Sequence, residues 1–247
     1  MRLILLLFFS LIHLLCQAQE HKPNIIIINI DDLGWRDVGF MGSQFYETPV
    51  IDALAKEGMI FTSAYAGASN CAPSRASLMT GLWPTRHGIY TVGSAERGKS
   101  SERKLIPVAN TDTLSTHFKT LAQSLQEAGY NTCMAGKWHL SDDPTSYGFD
   151  VNIGGGHNGH PQSYYPPYGN VKLQGDNKSY LTDLIMDKTI AFVNSSSKDK
   201  PFFLYYASYA VHTPIQKVDS LRYKFEGKQP WEGQSNVDYA TMLNNED

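Results

Sequence analysis

Residues 23–32, with the sequence PNIIIINIDD, are the stretch that most clearly indicates the fold of the chain. A run of β-branched residues directly after a proline predicts a strand that is buried on both faces, as in a parallel sheet. The strand leads into Asp31 and Asp32, and ligands of open α/β sheets collect beyond the carboxyl ends of the strands. Two adjacent carboxylates are costly there unless a cation or hydrogen bonds hold them. We therefore interpret the pair as ligands of a hard cation, with solvated loop acids or helix caps as the alternative.

Helices and further strands alternate along the rest of the chain. A helix is predicted to begin after the cap Thr48 and to end at Gly58. Periodicity and turn residues predict the other elements, which are helices over residues 114–128 and 181–193 and strands over residues 59–65, 131–136 and 201–207. This alternation indicates an α/β fold of three layers with a mostly parallel central sheet, formed by one domain over residues 19–247.

Residues 71–81, with the sequence CAPSRASLMTG, contain a candidate nucleophile. Proline is favoured in the first turn of a helix, so Pro73 places Cys71 at or just before a helix N-terminus. Unpaired N–H groups and the positive end of the helix dipole favour an anion there. Arg75, about one turn further along, adds a positive charge near the same point. The stretch therefore predicts a nucleophile beside an anion-binding helix end.

Two more predicted strands end in polar residues. The strand over residues 131–136 leads into Lys137 and His139, and the strand over residues 201–207 leads towards His212. A lysine-x-histidine pair or a single histidine is weak evidence alone, but all these strands should end at the same edge of the sheet. Lysine, arginine and two histidines suit a substrate with several anionic oxygens, and carboxylates suit Ca²⁺ or Mg²⁺. With a nucleophile, the set predicts group transfer from a tetrahedral oxyanion.

The first 18 residues predict a secretory signal peptide. Arg2 precedes an apolar run over residues 3–15, and Ala18 offers a small residue for cleavage. We therefore expect an exported protein, periplasmic or secreted. A lipoprotein signal is less favoured, because Leu14 and Leu15 are bulky residues to precede Cys16. No later stretch is apolar and long enough to span a membrane.

Charge and cysteine content narrow the class of protein further. The 247 residues carry a net charge of −3, and a mildly acidic protein argues against nucleic acid as its main partner. Without the signal, two cysteines are left, Cys71 and Cys133. In an exported protein these predict either one disulfide or two free thiols, and the surroundings of Cys71 favour the free thiol.

Residues 91–112 and 154–180 are longer than ordinary connections, which predicts insertions near a site. The second stretch combines histidines with Tyr164, Tyr165 and Tyr168 among prolines. That composition suits stacking on sugar rings and equally suits a proline-rich surface loop. Together with export, it favours a carbohydrate ligand over a small aryl compound or a lipid.

The motifs together resemble the type I sulfatases, which are formylglycine-dependent members of the alkaline phosphatase-like superfamily. Residues 71–75 match the C-x-P-S-R signature of that family, and residues 78–81 match its LMTG extension. The strand ending in the Asp-Asp pair agrees in order and context, as do GKWH at residues 136–139 and HTP at residues 212–214. The resemblance extends from Pro23 to the end of the chain.

The resemblance implies an alkaline phosphatase-like fold and a particular chemistry. In the family, a separate formylglycine-generating maturation enzyme oxidises the signature cysteine to formylglycine, whose hydrated aldehyde has two geminal hydroxyls. One hydroxyl attacks sulfur and expels the alcohol, and the other assists release of sulfate. The resemblance implies the same modification at Cys71, with Ca²⁺ preferred to Mg²⁺ as the metal ion. The substrate implied is a sulfated small molecule or glycan.

The resemblance also implies a role for each site residue by motif position. The implied metal ligands are Asp31, Asp32 and the oxidised Cys71. The implied catalytic residues, besides Cys71, are Arg75, Lys137, His139 and His212. Arginine would hold the hydrated aldehyde, lysine would bind sulfate oxygens, and the histidines would position or protonate the reacting groups.

The chain departs from the family in its length. Family members are considerably longer, and a second pair of metal ligands, Asp-Asn beside glycine, follows in them together with another lysine. Residues 239–243 resemble the start of the helix that precedes this pair. We therefore expect the N-terminal part of a sulfatase domain, incomplete at the C-terminus, that is inactive or poorly stable alone.

Two alternatives to a sulfatase stay open. Phosphonate and phosphodiester hydrolases of the same superfamily share the formylglycine signature and the metal site. A secreted relative without turnover would keep the fold but would carry Cys71 unmodified, either free or bridged to Cys133.

Overall fold

Four parallel strands form the central sheet of the computed structural model, which describes residues 22–176, 178–197 and 199–247. The strands are β1 (Ile25–Asn29), β2 (Asn131–Gly136), β3 (Val151–Ile153) and β4 (Phe202–Ala207). Their order is β1-β4-β2-β3, with Ile25 opposite Phe203 and Asn131 opposite Phe202. The predicted parallel sheet is confirmed, although β3 was not expected.

Six α-helices surround this sheet in the described part of the chain. They are α1 (Pro49–Glu57), α2 (Cys71–Thr80), α3 (Pro84–His87), α4 (Leu121–Glu127), α5 (Leu181–Ser195) and α6 (Val237–Glu246). Short 3-10 helices cover Gly39–Met41, Ser100–Glu102, Pro144–Tyr147 and Asp219–Lys224. None of the described helices has the length and apolar character needed to cross a bilayer.

Strand β4 separates two hydrophobic clusters, because alternate side chains of a strand point to opposite faces. Leu204 and Tyr206 pack with residues of α5 and α6. Phe203 and Tyr205 pack with residues of α2 and α4 on the other face. The helix–sheet–helix arrangement confirms the predicted three layers.

The expectation that β1 is buried on both faces is wrong. Ile25 and Ile27 pack against the α2 and α4 cluster, whereas Ile26 is 51% exposed and Ile28 is 58% exposed. Among the described strands, β1 lies at the edge of the sheet and pairs only with β4. A run of isoleucines predicts the strand but does not show how many neighbours cover it.

The strand predicted over residues 59–65 is also wrong. This stretch is irregular, and the side chains of Met59, Phe61 and Tyr65 are largely exposed. In the described part of the chain no strand lies beside the outer edge of β1. A β-prone sequence without a neighbouring strand has no partner for its backbone hydrogen bonds and does not form a ladder.

The helix predicted over residues 114–128 is shorter than expected, since α4 begins at Leu121. Thr120 and Gln123 form a capping box: Thr120 Oγ1 accepts from the Gln123 N–H at 3.1 Å, and Gln123 Oε1 accepts from the Thr120 N–H at 2.9 Å. Leu114 donates its N–H to Leu140 O at 2.8 Å, outside any helix. The predicted helix over residues 181–193 is confirmed and extends to Ser195. The predicted signal peptide lies outside the described residues and stays a prediction.

Candidate active site

The carboxylate of Asp31 lies at the centre of the candidate site, just beyond the carboxyl end of β1. Its backbone N–H donates to Ala210 O at 3.0 Å, and its carbonyl accepts from the Val211 N–H at 2.8 Å. The side chain is 5% exposed and forms ion pairs with Arg75, at 2.8 Å from Nη2 to Oδ1, and with Lys137. Burial raises the pKa of Asp31, but the charges of Arg75 and Lys137 outweigh it and leave the pKa lowered. Asp31 is therefore ionised.

Arg75 connects helix α2 to both central strands. Its Nη1 donates to Lys137 O at 2.5 Å and to the hydroxyl of Tyr205 at 3.4 Å. The guanidinium is 2% exposed, and its Nε has no hydrogen-bond partner among the described residues. Burial lowers the pKa of Arg75, while Tyr205 and Asp31 raise it by more, so the group stays charged. The structure thus brings α2 to the strand end at Asp31.

Lys137 continues the pairing of β2 with β4, because its N–H donates to Ala207 O at 2.6 Å. Its side chain is completely buried, and the ammonium lies against Asp31. Two cationic side chains from two elements therefore share one buried carboxylate. This buried triad brings together three of the seven residues named from the sequence.

Asp32 and His212 form the exposed side of the site. Asp32 adopts a left-handed backbone, with φ of 57°, and its Oδ2 lies 3.5 Å from His212 Nε2. One donor atom from each of Asp31, Asp32 and His212 lies within 4.8 Å of the others. No other group of at least three such donors is as close in the described part of the chain, and Cys71 does not belong to this one. Two carboxylates and an imidazole at one point can hold a cation.

His139 lies beside the triad with its imidazole enclosed. Its backbone is left-handed, with φ of 62°, and its N–H donates to Gly156 O at 2.8 Å. The ring is 7% exposed, and Nδ1 has no hydrogen-bond partner among the described residues. Burial, together with the charges of Lys137 and Arg75, lowers the pKa of His139 to about 3. The imidazole is therefore neutral at physiological pH.

Cys71 is the first residue of α2, as predicted, and it is partly exposed. Cys133 is buried in β2, where burial raises the pKa of its thiol to about 12. Both thiols are free, so the disulfide alternative is wrong for this structure. An unpaired cysteine at a helix N-terminus keeps its Sγ available for chemistry.

A protein-family model described as Sulfatase matches residues 23–245. The chain belongs to the sulfatase family. Among curated sulfatases, N-acetylgalactosamine-6-sulfatase of Mus musculus is 32% identical over 239 residues, which cover 85% of this chain and 44% of that protein. A sulfatase of Formosa agariphila is 31% identical over 282 residues, which cover 91% of this chain and 51% of that protein.

Solved sulfatase structures share the fold. The crystal structure of Ps i-CgsB in complex with k-i-k-neocarrahexaose has 33% sequence identity and a TM-score of 0.70, covering 91% of this chain and 52% of that one. The structure of BT4656 in complex with its substrate D-glucosamine-2-N,6-O-disulfate has 30% identity and a TM-score of 0.66, covering 85% of this chain and 39% of that one. The chain thus spans about half the length of the relatives it matches, and the alkaline phosphatase-like fold predicted from the sequence is confirmed.

The structure of this sulfatase chain adds one residue that the sequence did not single out, His160, and a role for Tyr164 that the sequence did not predict. The ring of His160 stacks on that of His212, with centroids 5.6 Å apart and planes 6° apart. The hydroxyl of Tyr164 donates to His212 O at 2.9 Å and also contacts Tyr209 O at 2.6 Å. These contacts hold the His212 segment in place. The composition of residues 154–180 predicted stacking on sugar rings or a surface loop, and not this supporting role.

The tyrosines of residues 154–180 do not form a surface for sugar rings. Tyr164 and Tyr168 are buried, and Tyr165 is half-buried with its hydroxyl donating to Lys217 O at 2.8 Å. Tyr164 stacks on Tyr180, with centroids 5.4 Å apart, inside the cluster of α5 and α6. These tyrosines are therefore part of the hydrophobic core or pack against it. Composition alone could not separate a buried aromatic cluster from a ligand platform.

The depressed pKa of His139 predicts a pH-dependent stability for this sulfatase chain. At pH values between the unfolded pKa of 6.5 and the folded pKa of about 3, His139 is protonated in the unfolded state but neutral in the folded state. We therefore expect the free energy of unfolding to fall as pH drops below 6.5, by up to about 1.4 kcal/mol per pH unit from this group. Denaturant unfolding at pH 7 and pH 5 measures this decrease in the free energy of unfolding. The decrease should be smaller in His139→Gln, which lacks the titrating imidazole. The exposed-ring variant His117→Gln is the control, and an equal effect in both variants would contradict the prediction.

Proposed function

We propose that the protein hydrolyses the sulfate ester of a carbohydrate, by way of a formylglycine made from Cys71 and a bound calcium ion. The observation that carries the proposal is that α2 begins at Cys71 and delivers Arg75 to the Asp31 carboxylate, which Lys137 also contacts. A member of the sulfatase family thus has its signature cysteine about one helical turn before the arginine of a buried cluster of charges.

The donor atoms fit a calcium ion in kind. Asp31 and Asp32 offer carboxylate oxygens within 4.8 Å of each other at a strand end, and Ca²⁺ binds about six to eight oxygens in flexible geometry. The two residues would supply part of that set, and an oxygen on the oxidised Cys71 would add to it. Arg75 and Lys137 already neutralise Asp31, so the ion would share that carboxylate with them. Calcium bound there would stabilise negative charge on the sulfate oxygens and on the attacking hydroxyl.

Each remaining side chain has a role that its surroundings support. Arg75 and Lys137 are buried positive charges that share the Asp31 carboxylate, suited to orient an aldehyde hydrate and a sulfate group. His139 is neutral, so it can exchange hydrogen bonds without adding charge. His212 has Nδ1 at 2.9 Å from Thr213 O, which favours the proton on Nδ1 and leaves Nε2 as the acceptor. Nε2 of His212 can therefore take or return a proton at the leaving oxygen.

The substrate class rests on the relatives. One is an N-acetylgalactosamine-6-sulfatase, and one solved neighbour holds a glucosamine disulfate as its substrate. Both names describe sulfated amino sugars, so a sulfated saccharide is the substrate we assign. The predicted signal over residues 1–18 supports export to the periplasm or the exterior, where such glycans occur.

The state of residue 71 tests the proposal directly. After co-expression with a formylglycine-generating maturation enzyme, peptide mass spectrometry should show an aldehyde in place of the Cys71 thiol. Prepared in the same way together with the C-terminal part that the sulfatase resemblance implies, the protein should release sulfate from 4-nitrophenyl sulfate, should lose that activity with EGTA, and should regain it with excess Ca²⁺. Turnover of the variants is measured in this form. A thiol or a disulfide at residue 71, or turnover of an aryl phosphate diester in preference to the sulfate, would overturn the proposal.

A further inference from the structure

A polar cavity of about 290 Å³ lies next to the candidate site, away from the Asp31 cluster. Its walls include the glycines at residues 154–156 and the side chains of Asp142, His157 and Lys172. Pockets that bind small ligands begin at about this size and are lined by a few convergent polar groups. None of these residues took part in the chemistry described above.

The cavity and His139 share one wall. The carbonyl of Gly156, which lines the cavity, accepts the backbone N–H of His139 at 2.8 Å. Three residues further on, a Cβ at Gly159 would lie 2.6 Å from His139 Cε1, so only glycine fits against the imidazole. A ligand in the cavity therefore lies against the segment that holds His139.

The side chains around the cavity divide into structural and uncommitted groups. Asn158 Nδ2 donates to Asn170 O at 2.6 Å, so this amide holds the loop in place. In contrast, Lys172 and Asp142 form no salt bridge within the described ranges, and no side-chain hydrogen bond of His157 occurs there. A carboxylate and an imidazole accept hydrogen bonds from sugar hydroxyls, and an ammonium binds an anionic substituent. The uncommitted groups match a hydroxylated ring that carries one negative charge.

We propose that this cavity is a second saccharide subsite, which binds the sugar next to the sulfated one and holds the carboxylate or sulfate of that sugar on Lys172. Asp142 and His157 bind its hydroxyls, and the glycine wall allows the ring to approach the backbone closely. The inference rests on the proposed function, because it specifies that the sulfated saccharide substrate is an oligosaccharide. It makes the segment of residues 154–172 a determinant of chain-length preference.

Calorimetric titration in a Cys71→Ala background, which holds substrate without turnover, measures the subsite. The probes are N-acetylgalactosamine 6-sulfate and the chondroitin 6-sulfate disaccharide, which adds a carboxylate-bearing sugar. We expect the disaccharide to bind about tenfold more tightly than the monosaccharide. Lys172→Ala should remove that advantage, and Lys172→Arg should keep most of it. Lys178→Ala is the matched control, because Lys178 is an exposed lysine six residues further on that does not line the cavity.

The outcomes separate the subsite from the proposed function. Equal affinity for the two probes, or an equal loss with Lys172→Ala and Lys178→Ala, would overturn the subsite even if the protein hydrolyses 4-nitrophenyl sulfate. A Lys172-dependent advantage in a protein whose Cys71 never becomes an aldehyde would support the subsite and overturn the proposed reaction. A fluorescence unfolding curve for each variant shows that the fold is retained.

Discussion

Asp31→Asn should both unfold the protein more readily and remove its turnover. The substitution leaves the guanidinium of Arg75 and the ammonium of Lys137 buried without a counter-charge, since both pair with this carboxylate. Removal of one partner from a buried ion pair costs about 3–5 kcal/mol. We expect a loss of that size in the free energy of unfolding at pH 7, measured with urea. Turnover of 4-nitrophenyl sulfate should fall at least about a hundredfold.

The pH dependence of the wild type gives an independent check on Asp31. A lowered pKa means that the stabilisation is fully present above the unfolded pKa of 3.8 and is lost as pH falls through the lower folded value. The difference in the free energy of unfolding between wild type and Asp31→Asn should therefore be largest above pH 4. The difference should become smaller at more acidic pH. Asp187→Asn, on the exposed face of α5, is the control and should change stability by less than about 0.5 kcal/mol. A loss of the same size in both variants would contradict the buried triad.

Cys71→Ala should abolish turnover with little change in stability. The proposed chemistry takes its attacking hydroxyl from this residue, and removal of a nucleophile costs on the order of 10⁴-fold or more in rate. Cys71 is partly exposed at the start of α2, so the lost sulfur leaves no large cavity. Steady-state kinetics on 4-nitrophenyl sulfate and a urea titration measure the two effects.

Cys133→Ala is the matched control for the loss of a thiol. Cys133 is fully buried in β2, and its substitution should lower stability by about 1 kcal/mol while the rate is retained. Turnover that survives in Cys71→Ala, or that disappears equally in Cys133→Ala, would show that the modified cysteine is not the source of the rate.

The elements that the sequence could predict are those whose signals are local. The isoleucine run of β1, the proline-led turn that begins α2, and the polar residues beyond β2 and β4 each follow from the chain within a few residues. Because parallel strands end at one edge, the meeting of Asp31 and Lys137 could also be expected, whereas residues 59–65, predicted as the strand before the helix of Arg75, are irregular. The resemblance to sulfatases depended on the same local stretches.

The errors concern contacts that depend on distant parts of the chain. Residues 59–65 have strand composition but no neighbouring strand, and the exposure of Ile26 and Ile28 depends on which elements lie over β1. The apolar periodicity predicted a helix from residue 114, but the capping box at Thr120 begins α4 at Leu121. The burial of Tyr164 follows from packing against α5, which spacing does not reveal.

The alternation of β4 has a consequence for how this strand can vary. Two adjacent tyrosines serve opposite layers: the hydroxyl of Tyr205 contacts Arg75 and Asn29, whereas Tyr206 faces α5 and α6. A deletion of one residue in β4 would exchange their faces, although the composition of the strand would hardly change. The Arg75 guanidinium would then lose its contact with the Tyr205 hydroxyl. The Tyr205 ring would instead point into the cluster of α5 and α6, where it does not fit. Insertions and deletions in β4 should therefore be far more damaging than conservative substitutions at the same positions.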